Sequence, residues 1–130
     1  MTDAVIEPTF VSTGVTNADL VVWYNLDSDD SGKPIKFAKY SDKTVQFYGT
    51  FGSGGTVVLE GSNDPRANPE NANHANAVWF TLTDAQANTV EKSAAAGEVV
   101  QENPLWLRPR VTSGDGTTSI TCALCGKRSI

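Results

Sequence analysis

Histidine occurs once in this chain, at position 74, and cysteine only twice, at 122 and 125. That scarcity excludes several kinds of chemistry. A nucleophile–base pair would have to be built on His74, which lies among asparagines with no serine, cysteine or aspartate in a motif around it. The expectation is that the protein is not an enzyme. Two cysteines cannot form a disulfide framework. If both stay on one strand, three residues separate them by about 10 Å, beyond the ~7 Å Cα reach of a disulfide. Cys122-Ala-Leu-Cys125 could supply half a zinc site, but there is no second pair, so both read as incidental thiols. Long apolar runs are missing as well, and none approaches the roughly 20 residues of a membrane-spanning helix. Met1-Thr2-Asp3-Ala4 lacks the basic and apolar regions of a signal peptide. Synthesis in a cytoplasm, with no membrane partner and no cofactor, is expected.

Positive charge is also short. Ten Lys and Arg stand against fifteen Asp and Glu, for a net charge of −5 and a pI near 4.7. A phosphate-tracking surface requires a stripe of Lys and Arg, so nucleic acid is not an expected partner, although a local basic patch remains open. Amphipathic helices are absent. Ser93-Ala94-Ala95-Ala96 is the one helix-prone spot and is too short to hold a helix alone.

What the chain does contain is turn chemistry and alternation. Eleven Gly and six Pro are spread over 130 residues, which is one domain's length, enough to bury roughly two-thirds of the unfolded surface. Residues 1–14 read as a lead-in arm, with Pro8 placing any strand there at a sheet edge. Val15 to Leu26 alternates with apolar residues on both sets, which predicts a strand covered on both faces. Ile35 to Tyr40 is a short strand. Val45, Phe47, Gly49 and Phe51 share one face, Gly52-Ser53-Gly54-Gly55 reverses the chain, and Val57, Leu59 and Gly61 return. This is the clearest hairpin signal. Residues 64–76 form a polar loop with no core pattern, the best candidate for an exposed, mobile segment. Val78 to Leu82 and Thr89-Val90 are further strands. Leu105, Leu107, Pro109 and Val111 then share a face. Ser113-Gly114-Asp115-Gly116 predicts a second hairpin turn. Ile120, Cys122 and Leu124 face inward on the last strand, and residues 126–130 form a polar tail. Eight to ten short strands between turn signals make an all-β sandwich or barrel, with no repeat period.

Three candidate sites can be weighed from residue types. Asp27, Asp29 and Gly32 resemble the start of a calcium loop, but the fifth position is Ser31 and the twelfth is Ala38, so a solvated turn is the better reading. The glycines at 52, 54 and 55 lack the Lys-Ser/Thr that a phosphate loop needs before its helix. Trp106, Arg108 and Arg110 alternate with the leucine face of their strand. An aromatic and two arginines together suit a protein-binding anchor; pairing across the sheet with Glu60 or Glu102 is the other reading. Trp23 and Trp79 read as core.

Several runs resemble a known family. They are Gly49 through Asp64 (Gly-Thr-Phe-Gly-Ser-Gly-Gly-Thr-Val-Val-Leu-Glu-Gly-Ser-Asn-Asp), the preceding Trp23, Gly32 to Ile35 and Tyr40 to Gln46, and the later Trp79 to Asp84 and Leu107 to Thr117. Across residues 15–124 the order is similar to small virion proteins of tailed bacteriophages. The resemblance implies an antiparallel, jelly-roll-like β-sandwich acting as a head decoration or cement protein on the capsid exterior. It also implies the major capsid protein as partner and a location on the virion, and it carries over no catalytic motif. A homodimer is expected because shells present two-fold axes. Placement in the tail or neck is an alternative. The loop at residues 65–76 and the cysteine-bearing end depart from the pattern. Val57 to Asp64 followed by Trp79 to Leu82 also resembles discoidin-like carbohydrate-binding sandwiches, which would stack loop aromatics on sugar.

Overall fold

The computed structural model describes residues 4–128, so Met1 to Asp3 of the arm and the last two residues of the tail lie outside the described residues. Twelve strands are present among them: β1 (Val5–Ile6), β2 (Thr9–Val11), β3 (Ala18–Leu26), β4 (Ser31–Gly32), β5 (Ile35–Lys36), β6 (Asp42–Thr50), β7 (Thr56–Ser62), β8 (Phe80–Thr81), β9 (Glu91–Lys92), β10 (Ala96–Val99), β11 (Trp106–Ser113) and β12 (Ser119–Lys127). The only helical pieces there are two single 3-10 turns, Pro65–Ala67 and His74–Asn76.

The strands form two sheets. Sheet I has seven strands in the order β1-β4-β11-β7-β8, with β5 also on β11 and β9 also on β7; sheet II has five in the order β10-β6-β12-β3-β2. All pairings are antiparallel except β1 with β4. The chain is an all-β sandwich that keeps stepping between its sheets, which is the jelly-roll-like feature. Alternation along each strand supplies the core. Val21, Trp23, Val45, Phe47, Ile120, Cys122 and Leu124 from sheet II meet Ile35, Val57, Leu59, Leu107 and Val111 from sheet I in one apolar cluster. Inward and outward faces follow from the two-residue strand period.

Both predicted hairpins are corrected by the sheet assignment. β6 lies in sheet II and β7 in sheet I, so Gly52 to Gly55 is a corner carrying the chain across the sandwich. Gly52 and Gly54 have φ of +70° and +69°, the left-handed region that a glycine enters without strain. Ser113 to Gly116 is a second corner, since β11 belongs to sheet I and β12 to sheet II. The corners stack at one end of the sandwich. Ser53 N–H donates to Asp115 Oδ2 at 2.9 Å, Ser113 Oγ to the Gly54 carbonyl at 2.7 Å, and Thr118 Oγ1 to the Phe51 carbonyl at 2.8 Å.

The arm does sit at edges, and at two of them. β1 runs along β4 of sheet I, and after Pro8 the chain crosses to pair β2 with β3 at the rim of sheet II. Asp30 holds it there: Oδ1 accepts from Ala4 N–H at 3.1 Å while Oδ2 accepts from Asp27 N–H at 2.9 Å. The Asp27–Gly32 turn is thus tied to the arm, and among the described residues no three His, Cys, Asp or Glu side chains gather around a possible metal position. Two-sided coverage over 20–25 is partial. Val21, Val22 and Trp23 are buried, but Tyr24 and Asn25 are exposed. β7 instead is buried along nearly its whole length. At the far end, β12 continues through Lys127, so the expected polar tail begins as strand, with Gly126 buried against Phe37 and Tyr40.

Candidate functional site: the outer face of β11

Strand β11 places Trp106, Arg108 and Arg110 on the outside of sheet I, opposite the buried Leu107, Pro109 and Val111. Leu105 precedes the strand and is exposed rather than core. The three outer side chains do not stand free. Trp106 is 7 % exposed, with Lys36 from the neighbouring β5 holding its ammonium 5.3 Å from the ring centroid. Register explains the rest: Arg108 lies directly across from Glu60, and Arg110 from Val58. Arg108 Nε donates to Glu60 Oε1 at 3.1 Å; Arg110 donates Nε to Oε1 at 3.1 Å and Nη2 to Oε2 at 2.9 Å. The cross-strand reading through Glu60 therefore holds. Glu102 goes elsewhere, its carboxylate accepting from the backbone N–H of Thr83 at 2.8 Å and from the Thr83 hydroxyl.

One carboxylate thus serves two guanidinium groups. Glu60 is 6 % exposed at its side chain, Arg108 16 % and Arg110 41 %. Burial lowers the Arg108 pKa against the pull of Glu60, and the adjacent Arg110 charge adds to the lowering. Arg110 moves the other way, raised first by its hydrogen bonds to Glu60. Trp79 covers Arg108, with the guanidinium carbon 4.0 Å from the ring centroid, a cation–π contact strengthened by partial desolvation. Trp79 is half-buried and outside the core; Trp23 is fully buried in it and donates Nε1–H to the Lys33 carbonyl at 3.1 Å.

The segment carrying Trp79 is organised, contrary to the patternless loop expected over residues 64–76. Asp64 accepts from Arg66 N–H at 2.9 Å and Val78 N–H at 3.0 Å and forks onto the Arg66 guanidinium, with Nη2 at 2.8 Å. Those bonds, the Arg66 side chain first, hold the Asp64 carboxyl well below the usual carboxylate range. Ser62 Oγ donates to the Val78 carbonyl at 2.6 Å, and Ala67 is fully buried. Asn side chains accept from N–H groups two residues on, at Glu70 and Asn73. Such local Asx bonds order polar sequence without any apolar period. His74 caps this arrangement, its Nδ1 3.0 Å from the Arg66 carbonyl.

No protein-family model matches the chain, and no curated protein matches it either. Two shallow depressions of about 540 and 550 Å³ lie on the opposite side of the molecule, over sheet II. Leu20, Gln46, Val99, Ala123 and Cys125 line the first, and Lys43, Val100 and Lys127 the continuation. Lys43 is buried and points its ammonium at the Tyr40 carbonyl, 3.1 Å away, and at Asn103 Oδ1. Burial lowers its pKa, while Asp42 and Glu102 oppose the shift. The Tyr40–Asn103 contacts make it a tether between β6 and the chain ahead of β11. Glu60, Trp79 and Lys36 complete the β11 face, yet only Glu60 could be named from sequence, because which residues lie abreast depends on register.

Proposed function

We propose that the protein is a structural component of a tailed-bacteriophage particle that binds the capsid exterior and stabilises it as a decoration or cement protein. The similarity of residues 15–124 to such virion proteins carries this reading. A rigid two-sheet body fits it, because little conformational entropy is lost when a preorganised sandwich docks. Each copy bridging two capsid subunits adds interface that the shell would lose on opening, and bridging makes modest affinity per contact sufficient. The partner is the major capsid protein, and no small-molecule chemistry is required of the chain.

A carbohydrate-binding sandwich is the second reading, resting on the Val57–Leu82 pattern. The tryptophans do not favour it: Trp23 and Trp106 are buried, and Trp79 is occupied by Arg108. The deciding experiment is to add purified protein to capsids lacking it and locate it by image reconstruction. Ordered density on the capsid exterior, with capsids surviving higher temperature, is the expected result. Density only at the tail or neck would move the protein there. Failure to bind particles combined with saturable glycan-array binding would replace the proposal with the carbohydrate reading.

A further inference from the structure

Of the lysines among the described residues, Lys43 alone is buried. It sits near the start of β6 on the inward face, with Val45 and Phe47 following it at the two-residue period. No carboxylate lies within ion-pair distance of its ammonium among the described residues. A buried ammonium without an anion is costly, because neutral acceptors do not offset the lost hydration of a full charge. Its acceptors are the Tyr40 carbonyl, at 3.1 Å, and the side-chain amide oxygen of Asn103.

The Asn103 contact differs in kind from the other. A hydrogen bond to Oδ1 sets the amine beside Cγ, a carbon that carries a leaving group. The segment bearing Asn103 is held on both sides: Val100 N–H donates to the Lys43 carbonyl at 3.0 Å, and Pro104 is buried. Two reactants fixed in contact lose the entropy cost of meeting. Burial lowers the Lys43 pKa, which raises the share present as neutral, nucleophilic amine. Of the two carboxylates whose charge acts on it, Asp42 is exposed, whereas Glu102 is half-buried and adjoins Asn103 in the chain.

We propose that Lys43 and Asn103 form an intramolecular isopeptide bond, a covalent tie between the start of β6 in sheet II and the segment entering β11 in sheet I. Glu102 takes one proton from the ammonium. The neutral amine attacks Asn103 Cγ, forming the Nζ–Cγ bond and moving the carbonyl electron pair onto Oδ1. Glu102 returns its proton to Nδ2, the electron pair re-forms the carbonyl, and the Cγ–Nδ2 bond breaks to release ammonia. A second proton passes from Nζ to solvent, leaving a neutral amide N–H. The charge of Lys43 thus departs as ammonium ion, and no oxidant or co-reactant is needed. Asn103 is exposed, so the ammonia escapes to water.

The tie closes the end of the sandwich that the corners leave open, since β6 and β11 both run away from it toward residues 52–55 and 113–116. The two residues are 60 positions apart, and a cross-link over so long a loop restrains the unfolded chain strongly. Both cysteines are free, so no disulfide does this work. The inference does not depend on the virion reading.

The test is denaturing mass spectrometry of the full chain after it has been held folded at neutral pH. A mass one ammonia below that of the sequence is expected. Trypsin should then fail to cut at Lys43 and should yield residues 40–66 joined to residues 93–110. A succinimide elsewhere also loses ammonia but leaves Lys43 cleavable. Lys43→Met and Asn103→Ala should each keep the full mass; the second changes an exposed residue, and circular dichroism confirms its fold. Glu102→Gln should slow the conversion by about a hundredfold or more. A wild-type chain of full mass that trypsin cuts at Lys43 would overturn the proposal, as would an ammonia loss that persists in Asn103→Ala. Conversion of Glu102→Gln at the wild-type rate would overturn the role given to Glu102.

Discussion

Asp115 and Ser53, 62 residues apart, are joined by a 2.9 Å hydrogen bond from the Ser53 N–H to the Asp115 carboxylate. That bond fastens the β6–β7 corner to the β11–β12 corner, so one side chain ties together two of the crossings that make the sandwich. The same carboxylate accepts from Thr117 Oγ1 at 2.7 Å and from Thr117 N–H at 2.9 Å.

Acid should loosen this end of the molecule. The Thr117 hydroxyl first, then the Ser53 and Thr117 N–H groups, lower the Asp115 pKa from 3.8 to about 2. A depressed folded-state pKa means that the stabilisation is present above the unfolded value and disappears as pH falls from about 4 through about 2. Asp64, also held low by its Arg66 bonds, acts in the same direction. Acid titration followed by near-ultraviolet circular dichroism should show Asp115→Asn destabilised at neutral pH and less pH-dependent than wild type below pH 4. Parallel acid curves for the two proteins would show that Asp115 contributes nothing to the transition.

Trp106→Ala should destabilise the fold by about 3 kcal/mol, because a nearly buried indole leaves a large void when truncated. Its 7 % exposure replaces the expectation of an outward anchor whose removal leaves the fold intact. Chemical denaturation measures it, and a midpoint within error of wild type would mean that the ring contributes no packing.

Glu60→Gln should cost about 2–3 kcal/mol. Removing one partner of a buried pair leaves uncompensated charge, and the partial exposure of Arg110 keeps the loss at the lower end. Thermal unfolding of Glu60→Gln, Arg108→Gln and the double variant would give the coupling. The double variant should be less destabilised than the sum of the singles.

Gly61→Ala should cost about 1–3 kcal/mol through overpacking. A Cβ there would lie 2.3 Å from Pro104 Cγ and 2.8 Å from Leu82 Cδ2. The Pro104 ring and the Leu82 side chain must shift for the methyl to fit, and a lowered Tm is the readout. An unchanged Tm would show that Pro104 yields freely.

The thiols should separate by reactivity. Cys122 is fully buried, and burial raises its pKa far above that of a free thiol, whereas Cys125 on the same strand is partly exposed. Titration with an aromatic disulfide reagent should modify one thiol in the native protein and two after denaturation.

Alternation by itself marked most of the core, although Phe51 is only partly buried and Leu105 is exposed. Val45 and Phe47, Val57 and Leu59, Leu107 and Val111, and Ile120, Cys122 and Leu124 are all buried as their two-residue period requires. The edge position of the arm was likewise legible in Pro8, which cannot donate to a ladder. The tertiary structure alone decided which strands are partners. Gly52–Gly55 and Ser113–Gly116 specify a reversal, and turn chemistry is local. A hairpin places the inward residues of its two strands side by side on one sheet, whereas a corner sets them facing each other across the core, and both arrangements require the same alternating sequence. The Glu60 cluster has the same origin. Glu60 lies abreast of Arg108 only because β7 and β11, 48 residues apart at that pair, meet in this register, and the packing of the whole sandwich selects that register.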